Sequence, residues 1–231
     1  MNYTPEDILS KCRSAMAEPN LFYKQDFVNY RGKFPNTNRY FNEAVAEFVL
    51  NNLTELTAGI PQITRQTTYK TPTHTGSHNK NTSRVEERIA MEMFIQRDFG
   101  FIGKMIDYQT PLKNTAYDEA GKIDLLAYNK QDNTLHLLEL KKPDSAETML
   151  RCTLEAYTYL KTVDQKKLLA DFGFPENAAV KACPLVFVNG VQQEEWLDTV
   201  NRPKLHELME TLDIMPYFVE NVNGGYIITE G

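Results

Sequence analysis

The spacing of apolar residues predicts helices in the first quarter of the chain. Residues 1–58 carry apolar side chains at close to helical intervals, most clearly from Phe41 to Leu56. Thr4 followed by Pro5 is typical of a helix start, because threonine caps a helix and proline is tolerated in its first turn. Residues 59–82 are rich in Gly, Pro, Thr, Asn and Ser, which predicts a loop.

Beyond this loop, short apolar runs bounded by turn residues alternate with longer runs of helical period, which predicts an α/β protein with a mixed sheet. We expect residues 1–65 to form an N-terminal helical segment and residues 66–231 to form the core. The predicted helices are 83–97, 145–163 and 194–212, and the predicted strands are 104–112, 123–128, 135–140, 182–189, 214–220 and 226–229.

Residues 121–143 predict a β-hairpin, since two Leu- and Ile-rich runs flank the polar residues 130–133. If Asn129 pairs with Thr134 across a four-residue loop, antiparallel pairing places Asp124 directly opposite Glu139. The two Cβ atoms would then lie roughly 5 Å apart on one face. Lys141 would point to the same face, because side chains alternate along a strand.

Two carboxylates that face each other within apolar strands are unfavourable unless a cation lies between them. A divalent metal, with Lys141 beside it, would meet this need. The alternative is that the register slips, or that Asp124 and Glu139 both lie near solvent at the strand ends.

Asp124, followed one strand later by Glu139-Leu140-Lys141, resembles the signature of the PD-(D/E)XK nuclease superfamily. The lead-in Gly121-Lys122-Ile123 is also similar to that of the family. The resemblance covers residues 83–189 and implies a restriction-endonuclease-like core, with a central mixed sheet flanked by helices. It also implies metal-dependent hydrolysis of phosphodiester bonds, with DNA expected as the substrate rather than RNA.

The resemblance implies a role for each residue of the signature and for Glu86. Asp124, Glu139 and the backbone carbonyl of Leu140 would hold Mg²⁺, which prefers oxygen ligands, with Mn²⁺ as a substitute. Lys141 would orient the attacking water or offset developing charge. Glu86 would be a further ligand or hold a metal-bound water, because many members carry such a glutamate on the preceding helix.

Two helices carry the remaining candidate residues. In residues 83–97, Ser83 and Glu86 form a capping-box pattern, and Glu86 falls within the apolar stripe whereas Glu87 falls towards solvent. Nuclease relatives often place a Gln four residues before a Tyr on the helix after the catalytic strands. Here those positions are Thr153 and Tyr157, as candidate substrate or outer-shell residues. The alternative is that both are core residues; Arg151 and Glu155 are predicted to point outward.

Composition narrows the function classes. The net charge of −6 argues against a protein that binds nucleic acid through an overall positive charge. The chain lacks an 18-residue apolar run and an N-terminal signal-peptide pattern, and its three cysteines are widely spaced. We therefore expect a cytoplasmic protein without a membrane partner. His74 and His78 have i,i+4 spacing, but Pro72 and Gly76 disfavour the helix that a zinc site would need.

Two other functions stay open. A catalytically silent PD-(D/E)XK-fold module that binds nucleic acid or protein would fit the missing Gln and the acidic charge. A retaining glycosidase would use two close carboxylates but leaves Lys141 unexplained. Many nuclease relatives act as dimers, and the final hairpin is a candidate homodimer interface.

Overall fold

The fold is a six-stranded mixed sheet flanked by helices. In the computed structural model, which describes residues 3–75, 83–115, 117–118 and 120–231, the strands lie in the order β1-β2-β3-β4-β5-β6. Pairing is antiparallel between β1, β2 and β3 and between β5 and β6, and parallel between β3 and β4 and between β4 and β5. The predicted α/β class with a mixed sheet is confirmed.

The elements follow one another in the sequence as helices, three strands, two helices, one strand, two helices and a hairpin. The helices are α1 (Pro5–Ala15), α2 (Phe41–Asn51), α3 (Leu53–Ala58), α4 (Val85–Gln96), α5 (Met149–Thr162), α6 (Gln165–Phe172), α7 (Val191–Leu197) and α8 (Pro203–Thr211). The strands are β1 (Lys104–Pro111), β2 (Lys122–Asn129), β3 (Thr134–Leu140), β4 (Ala179–Phe187), β5 (Tyr217–Val222) and β6 (Gly225–Glu230).

The hairpin register is the one that the sequence predicts. Asn129 pairs with Thr134, and the pairing runs without a shift to Leu125 and Leu138. Asp124 and Glu139 lie one residue beyond this last pair. The register therefore does not slip between these residues. Ile123 and Leu125 nevertheless pack in the core clusters on opposite sides of the sheet, so the alternation of side chains along β2 breaks at Asp124.

Three predicted helix boundaries are wrong. Helix α4 begins at Val85 with Arg84 as its N-cap, so Ser83 and Glu86 do not form a capping box. Helix α5 begins at Met149, and the hydroxyl of Thr148, rather than that of Ser145, accepts the first-turn N–H. Residues 194–212 form parts of two helices, α7 and α8, instead of one.

The two faces of the sheet are covered by different helices. One face packs against α1, α2, α5, α6 and α8, and residues from both predicted domains contribute to this single cluster, including Val45 and Leu150. The other face is covered by α4, through Ile89 and Met93. The strand ends between α4 and α5 are therefore enclosed from both sides.

The sheet ends at β6, where a side chain takes up backbone hydrogen bonds. The carboxamide of Gln96 donates to the carbonyl of Tyr226 (2.6 Å) and accepts from its N–H (2.7 Å).

Among the described residues, no helix combines the length and the apolar character required to cross a membrane.

Candidate active site

Lys141 lies at the centre of a buried ionic cluster at the end of β3. Its Nζ is 3.0 Å from Glu139 Oε1, 2.7 Å from Glu155 Oε2 and 3.0 Å from Glu147 Oε2. Glu147 also pairs with Arg151 at 3.0 Å. Glu139 and Lys141 share one face of β3, as their spacing predicts, and α5 and the loop before it supply the other carboxylates.

Asp124 is held on both of its oxygens. Its Oδ2 accepts the backbone N–H of Leu140 at 3.0 Å, which joins β2 to β3 beyond the last regular pair. Its Oδ1 accepts the side-chain N–H of Gln109, on β1, at 2.7 Å. The carboxyl group is half-buried and is fixed in orientation by two neighbouring strands.

Glu86 and Asp124 line the same pocket. This pocket has a volume of about 390 Å³, and its other walls include Gln109, Glu87 and Lys142. Glu86 accepts the backbone N–H of Lys142 at 3.1 Å, whereas Glu87 pairs with Arg84 at 3.2 Å. The start of α4 is thereby attached to the residue that follows the Glu-Leu-Lys triplet.

A chain of hydrogen bonds supports Lys141 from the side of α5. Tyr159 donates to Glu155 Oε1 at 3.1 Å, and the hydroxyls of Tyr23 and Tyr159 lie 3.4 Å apart. A Cβ atom on Gly121 would lie 2.1 Å from the Tyr159 hydroxyl, so only glycine allows this approach. Gly121 thus leaves room for the tyrosine that supports Lys141.

The ionisable groups of the cluster have shifted pKa values. Burial, together with Glu155 and Glu86, raises the pKa of Asp124 to about 7 against the opposing effect of Lys141. Burial and the charges of Asp124 and Glu155 raise the pKa of Glu139 well above its usual range. Burial lowers the pKa of Lys141, but Glu139 and Glu155 outweigh it and hold that pKa well above the ordinary value.

The two candidates on α5 lie away from this cluster. Thr153 is buried and donates to the carbonyl of Met149, and the hydroxyl of Tyr157 lies 2.6 Å from that of Thr57. Both occupy the core, as the alternative interpretation predicts. The residues that meet the cluster at i,i+4 spacing are Glu155 and Tyr159.

The outward orientation predicted for Glu155 is wrong. Eleven of the fourteen residues of α5 are buried, so the helix is covered on nearly all sides and lacks a simple solvent face. The sequence does contain a signal for this burial. Glu155 is the single acidic residue in a long run of apolar and hydroxyl-bearing residues, and a carboxylate buried in such a run needs a cationic partner. Lys141 is that partner.

Asp107 is buried in a second polar group, which lies on β1. Its Oδ1 lies 2.6 Å from His74 Nδ1, and its Oδ2 accepts the hydroxyl of Thr110 at 2.9 Å. The His74 ring stacks on Tyr108 with centroids 4.2 Å apart. His78 lies outside the described residues.

The donor set suits a hard divalent cation in part. Within the described ranges, no group of three or more His, Cys, Asp or Glu side chains is arranged to hold a metal. Mg²⁺ commonly needs only one or two carboxylates, since water and phosphate complete its shell. Glu139 Oε2 is buried and has no hydrogen-bond partner among the described residues, so it is an acceptor that a cation would satisfy.

The chain matches no protein-family model, no curated protein and no solved structure. Its function is therefore inferred from the chemistry of the cluster and from the sequence signature.

Proposed function

We propose that the protein is a metal-dependent nuclease of restriction-endonuclease-like fold that hydrolyses phosphodiester bonds of nucleic acid, DNA rather than RNA. The observation that carries this proposal is the placement of Asp124, Glu139 and Lys141 at adjoining strand ends, with an unpartnered buried oxygen on Glu139. The order of strands and helices around them supports it.

The charge balance of the cluster supports a cation-assisted reaction. Glu139, Glu147 and Glu155 contact Lys141, Glu147 also contacts Arg151, and Asp124 lies on the adjoining strand. A divalent ion would offset the excess of carboxyl groups over cationic side chains. Asp124 and Glu139, with the Leu140 carbonyl, would hold Mg²⁺ or Mn²⁺, and Glu86 would hold a water or add a ligand from the pocket wall.

When bound, the metal ion supplies Lewis acidity and lowers the pKa of a coordinated water. The protein residues place the reacting groups around it. Lys141 orients the attacking water and offsets the charge that develops on the phosphate oxygens. Glu155 and Tyr159 fix the ammonium group, and Gln109 and the Leu140 N–H fix Asp124.

Cleavage of labelled single- and double-stranded DNA and RNA, with Mg²⁺, Mn²⁺ or EDTA, tests the proposal. We expect metal-dependent cleavage of DNA that is lost in Asp124→Asn and Lys141→Ala and kept in Glu176→Gln, an exposed residue outside the cluster. Circular dichroism would show that each variant is folded. Folded wild-type protein that cuts none of the four polymers would overturn the proposal.

One observation favours a catalytically silent module instead. The ammonium of Lys141 donates to Glu139 and Glu155 and lies 3.0 Å from a carboxylate oxygen of Glu147, so three carboxylates offset the positive charge that it could offer to a phosphate. Calorimetric titration with Mg²⁺ or Mn²⁺ separates the two functions. A nuclease should show a divalent site that Asp124→Asn weakens, whereas a silent module should show none.

A further inference from the structure

We infer that Gln109 is a positioning residue of this site, held in a strained backbone conformation so that its carboxamide fixes Asp124. This inference rests on the proposed function, since it concerns the geometry of the proposed metal ligand. Gln109 is on β1, outside the sequence signature and outside the two strands that carry the signature.

The backbone at Gln109 is unusual for its position. Its φ is 49°, in the left-handed region, although it lies within a strand. Glycine and asparagine adopt this region readily, but a glutamine there is strained. Strain of this kind persists where the surrounding structure enforces it, and it is frequent at functional sites.

The left-handed residue reverses the alternation of side chains along β1. In a regular strand, residues three apart lie on opposite faces. Here the hydroxyl of Thr110 donates to the carboxylate of Asp107, three residues earlier, at 2.9 Å. The break falls between them, at Gln109. The same strand also shifts register between Met105 and Asp107, as β-bulges next to active sites do.

The reversal places the carboxamide of Gln109 in the pocket that Asp124 and Glu86 line. Tyr108 pairs with Leu125 and Thr110 with Ile123, so Gln109 stands directly across from Asp124. Its side-chain N–H donates to Asp124 Oδ1 at 2.7 Å, and both residues line the same pocket as Glu86. Because Leu140 holds the other oxygen, Gln109 fixes the rotation of the carboxyl plane and so the direction of its remaining lone pairs.

Two variants separate the strain from the hydrogen bond. Gln109→Gly removes both the strain and the amide, and Gln109→Met keeps a side chain of similar length but removes the amide. We expect each to weaken Mg²⁺ binding by calorimetry and to lower kcat for DNA by about 10- to 100-fold, the usual effect of losing a hydrogen bond to a metal ligand. Gln109→Gly should also melt at or above the wild-type temperature, and above Gln109→Met.

Asn223→Gly is the matched control, because Asn223 is exposed, has a φ of 53° and lies in the turn between β5 and β6. It should keep wild-type Mg²⁺ affinity and kcat. Unchanged affinity and kcat in both Gln109 variants, or a Gln109→Gly protein less stable than Gln109→Met, would overturn the inference. Wild-type protein without Mg²⁺ binding or cleavage would instead overturn the proposed function, and the inference with it.

Discussion

Glu155 Oε2 lies 2.7 Å from the ammonium of Lys141, the shortest of the three ion pairs around that group. This contact joins α5 to the centre of the proposed site. Tyr159, one turn further along α5, holds the other oxygen of Glu155. The position of Lys141 is therefore set by a helix as well as by its own strand.

Replacing Glu155 should lower activity through Lys141. Glu155→Gln keeps one oxygen for Lys141 but places an amide against the Tyr159 hydroxyl, so the contacts that orient Lys141 are weakened. We expect kcat for DNA cleavage to fall by about 10- to 100-fold, while stability changes by no more than about 2 kcal/mol. Steady-state kinetics and urea denaturation would measure the two effects.

The control for this substitution is Glu176→Gln, on an exposed loop, which should behave as the wild type. Full activity in Glu155→Gln would mean that Lys141 does not depend on α5.

Asp124 should make the protein less stable as pH rises, and Asp124→Asn should remove this dependence. Its folded-state pKa is raised to about 7 from the model-peptide value of 3.8. The stability that its protonated form contributes is thus complete below about pH 4 and is lost as pH rises through 7. The loss is at most about 4 kcal/mol and smaller where solvent reaches the group.

Asp124→Asn should therefore be more stable than the wild type at pH 7.5 and similar to it at pH 4, because the Gln109 carboxamide can turn over to match the new amide. Urea denaturation at several pH values, without divalent ions, gives the difference directly. A difference that stays constant from pH 4 to pH 7.5 would contradict the raised pKa.

Gly121→Ala should displace Tyr159. The added methyl group would lie 2.1 Å from the buried hydroxyl, so either the ring or the start of β2 must move. We expect a stability loss of about 1–3 kcal/mol, typical of overpacking, and a fall in DNA cleavage. Gly225→Ala is the control, since its Cβ would lie no closer than 3.4 Å to another side chain. Equal behaviour of the two variants would show that Tyr159 adjusts freely.

The His74–Asp107 pair should contribute to stability but not to chemistry. His74→Ala leaves the buried Asp107 without its ring partner, which should cost about 1–3 kcal/mol. Adding Asp107→Asn should restore part of this loss, because the unpaired buried charge is removed. Denaturation and a cleavage assay below the melting temperature would test both variants. Loss of cleavage in folded His74→Ala would instead place His74 in the reaction.

The sequence predicts the hairpin and its register because two simple rules act together. The length of the turn fixes which residues pair, and the alternation of side chains fixes which of them share a face. Glu139 and Lys141 could therefore be placed on one face from spacing alone, with Asp124 on the adjoining strand. The order of helices and strands followed from apolar periodicity in the same way.

The rest of the site depends on contacts that spacing does not encode. The apolar stripe of residues 145–163 predicts a single buried face and places Glu155 towards solvent, whereas α5 is covered on nearly all sides. Gln109 gave no signal, since glutamine has no preference for a left-handed conformation and only the paired strands enforce one. Ser83 and Ser145 are good caps in isolation, but Arg84 and Thr148 occupy the cap positions in the folded chain.

The carboxamide of Gln96 bears on how this protein meets its neighbours. It hydrogen-bonds both backbone groups of Tyr226, which are the groups that a further strand would otherwise bond at that residue. A second chain that added to β6 would have to expel the side chain and would gain two hydrogen bonds of the same kind in return. Growth of the sheet at this residue thus offers little net free energy, and assembly through the final hairpin would have to draw on its side chains instead.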